Sequence, residues 1–105
     1  MGRDRPGAAA RLHAQLVAAD LPYADVVLVL EGQARAGIVE GTDGRVRTVH
    51  AAADGDTTIA DLARNEIAAG RAVEVVTADR ALAATILAAG AEVARPRWLL
   101  DRLPD

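Results

Sequence analysis

Asp25-Val26-Val27-Leu28-Val29-Leu30-Glu31 is the stretch on which the fold turns. Its apolar centre is β-branched and aliphatic, too short for an independent helix, and such a run suits a strand buried on both faces. Burial on both faces implies a parallel sheet covered by helices, so the flanking segments should alternate between the two element types.

They do. Upstream, Gly7 to Ala18 is rich in good helix formers, with Leu12, Leu16 and Val17 at one-face spacing. Downstream, Arg45-Val46-Arg47-Thr48-Val49-His50 alternates polar and apolar residues, as expected of a strand near the sheet edge. From Asp56 to Ala69, Ile59, Leu62, Ala63 and Ile67 form an apolar helical stripe that Gly70 ends. Val73 to Thr77 reads as another strand, and Asp79 opens a helix carrying Leu82, Ile86 and Leu87 that Gly90 stops. Ala91-Glu92-Val93 makes a short last strand, and Pro96 opens a closing helical turn. The wording Ala-Ala-Gly recurs before two strands, at 68–70 and 88–90, which reads as shared helix-to-strand turn chemistry. The expected order is α-β-β-α-β-α-β-α, a mostly parallel α/β sheet within one domain spanning residues 1–105.

Composition limits the chemistry. Hydrophobic residues make up 51% of the chain but aromatics only 2%, so the core must be aliphatic, with Trp98 expected to fill it. The absence of Cys and Ser removes thiolate metal sites, disulfides and Ser or Cys nucleophiles. All twelve basic residues are Arg, which with the abundant Ala points to a GC-rich, bacterial source. A net charge of −3 gives no global basic field, so any nucleic-acid contact must be local. No segment reads as a signal peptide or a bilayer-crossing helix, which gives the expectation of a cytoplasmic protein without membrane contact.

In open parallel sheets ligands gather beyond the carboxyl ends of the strands. Three acids stand at such positions. Glu31 ends the 26–30 strand, Asp56 opens the helix after the 46–49 strand, and Asp79 follows the 73–77 strand. Converging carboxylates call for a hard cation, Mg2+ or Mn2+, and the implied chemistry is attack of metal-activated water on a phosphodiester. Asp is also among the best helix N-caps, and one Asp can cap and bind metal at once. Gly32-Gln33-Ala34-Arg35-Ala36-Gly37 has the outer glycines of a phosphate loop but lacks its Lys and Ser/Thr; it reads as a mobile loop in which Arg35 is a candidate phosphate contact. His13 and His50 lack partners at metal spacing and read as structural or solvated. Arg95-Pro96-Arg97-Trp98 offers a small basic and aromatic surface as the alternative use of Trp98.

Several of these stretches resemble NYN domains of the PIN-like nucleases, closest to the YacP-like subgroup. Gly55-Asp56-Thr57-Thr58-Ile59 is similar to their Ala-Asp-x-x-Ile signature, and Val75-Val76-Thr77-Ala78-Asp79-Arg80 to their strand-turn Val-Val-Thr-Ser-Asp-Arg. Val27 to Glu31 resembles their second strand, and Gly90 to Val93 with Pro96 to Leu99 their closing strand and helix. The resemblance implies a three-layer PIN-like fold and Mg2+- or Mn2+-dependent cleavage of RNA. It makes Asp56 and Asp79 metal ligands, Glu31 a third acid and Arg80 a phosphate contact.

NYN and PIN domains begin with a hydrophobic strand ending in Asp, with Asn close behind, and no such segment precedes the first helix here. This departure carries the expectation that the reading frame extends upstream of Met1 to encode that strand. Without it the metal site is incomplete, and the strand edge it leaves permits a homodimer. Two other functions fit the same residues: a nucleoside-triphosphate pyrophosphohydrolase, for which the Glu-rich helices are missing, and a non-catalytic interaction module.

Overall fold

The computed structural model describes residues 4–105. It has an α/β fold whose described residues divide into two compact units, 4–55 with 102–105, and 56–101.

In the first unit, α1 (Arg5–Ala18) starts at Asp4, whose carboxylate accepts the Gly7 N–H at 2.9 Å, and Pro6 stands in its first turn, where no amide donor is needed. Of the three apolar residues expected on one face, Leu16 is buried and Val17 is exposed. The strand β1 (Val26–Leu30) forms as expected, but only one face is buried. Leu28 and Leu30 point inward, whereas Val27 is 40% exposed. β1 also lies at the edge of a three-stranded sheet.

Its neighbour β3 (Val46–His50) runs parallel to it, with Val26 opposite Val46 and Leu30 opposite His50. Instead of lying near the edge, β3 is the central strand, because a short strand, β2 (Gly41–Asp43), pairs antiparallel on its far side. The hairpin between them closes over Gly44-Arg45, and Gly44 takes φ +60°, the sign a tight two-residue hairpin turn requires of its first residue.

Residues Gly32–Gly37 form a 3-10 helix, η1, packed on α1, so the mobile loop expected there is an ordered element. Gly37 lies so close to the Pro6 carbonyl that any side chain would collide with it. The link between α1 and β1 is fastened by Arg45, whose guanidinium donates to the carbonyls of Leu21 (2.9 Å), Tyr23 (3.0 Å) and Ala19 (3.4 Å).

In the second unit, the helix α2 (Gly55–Ala68) leads to β4 (Glu74–Val76), α3 (Arg80–Ala88), β5 (Glu92–Ala94) and α4 (Pro96–Leu100). The strands β4 and β5 form a separate parallel pair, so the strands fall into two small sheets instead of one. Both expected helix stops are Schellman turns. Arg71 N–H reaches the Glu66 carbonyl and Ala91 N–H the Ile86 carbonyl, with Gly70 at φ +86° and Gly90 at φ +98°. The recurring Ala-Ala-Gly wording is this shared turn.

The core of this unit is Ala60, Ala63, Val75, Leu82, Ile86 and Ala91. Trp98 does not fill it; α4 buries no residue completely, and Trp98 is only half-buried. Ile86, at 0% exposure, is the core's most deeply buried member, among the small side chains of Ala60, Ala63 and Ala91. Among the described residues, no helix is long and apolar enough to cross a membrane.

Candidate functional site

Asp79 stands three residues beyond Val76, the last residue of β4, and caps α3. Its Oδ1 accepts the Leu82 N–H at 2.8 Å, while its own N–H donates to the Thr77 hydroxyl at 3.0 Å. Thr77 thus fixes the turn that aims the carboxylate, and the Thr-Ala-Asp spelling has a local physical reason. The side chain is exposed, so the cap leaves its outer face in solvent. Arg80 follows as the first residue of α3 and is also exposed.

Asp56 is the acidic residue of the first turn of α2, where negative charge complements the helix dipole. It lines an open cleft of about 320 Å³ to which α2 also contributes Thr57, Ala60, Asp61 and Arg64. The other wall is the first turns of α3, through Ala81, Leu82 and Thr85. The helix that Asp56 opens and the helix that Asp79 caps therefore meet at one cleft. Its floor is apolar, from the buried Ala60 and Leu82, and its rim is polar.

Glu31 follows β1 and accepts the Gly55 N–H at 3.1 Å through Oε1, so it caps the beginning of α2 from a distant part of the sequence. A Cβ at Gly55 would stand 2.8 Å from that oxygen, so a side chain there would push the movable end of Glu31 aside. Arg35 turns back on its own 3-10 helix, its Nε donating to the Gly32 carbonyl at 3.1 Å. His50 is structural: its ring Nε2 meets the Ile38 carbonyl at 2.7 Å, and its backbone N–H donates to the Glu40 carboxylate at 2.7 Å.

The donor chemistry fits a hard divalent cation, since Asp56 and Asp79 offer carboxylate oxygens and Mg2+ keeps several waters while taking one or two carboxylates. A fuller protein cage is not formed: among the described residues no group of three or more His, Cys, Asp or Glu side chains is placed to hold a metal ion.

The sequence pattern did not single out Asp61 and Arg64, which line the cleft. The available signal was spacing, because Asp56, Ala60 and Arg64 recur every four residues and share a helix face. Glu40 and Arg45 carried no such signal, since their partners are backbone atoms far along the chain. No protein-family model, no curated protein and no solved structure matches this chain.

Proposed function

We propose that this chain is a cytoplasmic, metal-dependent ribonuclease domain of the NYN type, built on a PIN-like fold. The observation that supports it best is the shared cleft at the starts of α2 and α3. Asp56 opens one helix, and Asp79, turned outward by Thr77, caps the other just beyond a parallel strand. In this reading Asp56 and Asp79 hold Mg2+ or Mn2+. The cation, when bound, supplies activated water and stabilises charge on the leaving oxygen of the phosphodiester.

The chain's own residues orient the substrate. Arg80, exposed beside Asp79, pairs with a phosphate. The absence of Ser and Cys agrees with a route that needs no covalent intermediate.

The test is cleavage of labelled single-stranded RNA by the full chain with Mn2+ and with chelator, beside release of pyrophosphate from nucleoside triphosphates. Chelator-sensitive RNA cleavage is the expected result. Pyrophosphate release without RNA cleavage would transfer the site to the pyrophosphohydrolase reading, and neither activity would leave a non-catalytic module.

A further inference from the structure

Arg64 is the only cation lining the α2–α3 cleft among the described residues. It lies eight residues after Asp56 on the same helix face, about 12 Å along the axis at 1.5 Å per residue. A chain molecule held at Asp56 and extending along the cleft therefore reaches Arg64 more than one repeat unit away. Between them lies the small, buried Ala60, so no bulky side chain on that face interrupts the path.

The guanidinium is available. Its contact with Asp61 is 3.4 Å long, through Nη1 alone, with side chains 53% and 66% exposed. An ion pair so exposed is weak, and a phosphate that takes two of the five guanidinium donors can replace it.

We propose that Arg64 is a backbone-phosphate contact for single-stranded nucleic acid lying along this cleft beyond Asp56. The ligand class rests on the ribonuclease reading; the contact itself rests on the cleft and the spacing. Asp61 acts as its competitor, holding the guanidinium when no phosphate is present. The contact is to backbone, so it should be indifferent to base sequence.

The experiment is fluorescence anisotropy of a short labelled oligouridine with the full chain in Ca2+, across a salt series, with oligonucleotide integrity checked by gel. Arg64→Ala is expected to raise Kd several-fold and to lower the slope of log K against log salt by about 0.7, the value for one single-strand phosphate contact. Arg64→Lys keeps the slope, and Asp61→Asn tightens binding. Both positions are exposed on a helix, so these variants should fold, and far-ultraviolet circular dichroism checks it.

Equal Kd and slope for Arg64→Ala and wild type overturn the proposal, as does a wild-type chain that does not bind the oligonucleotide. Mn2+-dependent cleavage measured in parallel separates the two readings. Cleavage intact with no effect of Arg64→Ala removes the contact alone. Binding that depends on Arg64 without any cleavage removes the nuclease alone.

Discussion

The two units of this chain are held together in different ways. In residues 56–101 the ordering devices are local: Thr77 and Asp79 close a turn and cap α3 within five residues, and Gly70 and Gly90 end their helices within one turn. In residues 4–55 local devices such as the Asp4 cap are joined by long-range ones. Arg45 binds three carbonyls more than twenty residues away, and Glu31 reaches Gly55 across the same kind of distance. Local devices survive loss of a distant contact, whereas long-range ones fail together with the packing that aligns them.

The largest effect should come from the second unit's centre. Ile86→Ala removes a side chain with no solvent exposure from among alanines that cannot move in to fill the space, and should cost about 4 kcal/mol. Urea denaturation measures it, and a loss below about 1 kcal/mol would mean the core relaxes more than its packing suggests.

Arg45→Ala comes next. It strands the Leu21, Tyr23 and Ala19 carbonyls, of which the link keeps some accessible to water, and should cost about 2 kcal/mol. Hydrogen exchange should show the loss first between α1 and β1. Protection lost equally in α3 would contradict the division into local and long-range ordering.

The sequence reading fared according to the same division. Every α-helix and four of the five strands were legible because periodicity and Gly or Asp punctuation are local, whereas the 3-10 helix η1 was read as a loop. The strand β2 was not: three exposed residues carry no apolar pattern, although Asp43-Gly44 was a hairpin signal. That omission also misplaced β3 at an edge, and the apolar run of β1 gave no sign of which neighbours it would have. Within the candidate site, the Asp56 and Asp79 positions were legible as helix starts. The place of Arg64 beside Asp56 in the α2–α3 cleft was not, because it depends on how α3 packs against α2.

A smaller effect of opposite sign is expected at Thr48. It is 2% exposed in the centre of the three-stranded sheet, and its hydroxyl has no hydrogen-bond partner. Thr48→Val keeps the β-branched shape and should stabilise by about 1 kcal/mol, read from the urea midpoint. A loss of stability would show that the hydroxyl is satisfied in solution.

Asp79 joins the fold to the proposed chemistry, because the same carboxylate caps a helix and would bind the cation. Asn at that position keeps a capping oxygen and removes the charge, so the two roles separate. The direct test is calorimetric titration of Mn2+ into the full chain and into Asp79→Asn, with thermal melts of both. The account predicts saturable binding by the wild type, loss of that binding in Asp79→Asn, and melting temperatures within a few degrees of each other. Equal Mn2+ binding by both proteins, or none by the wild type, would contradict it.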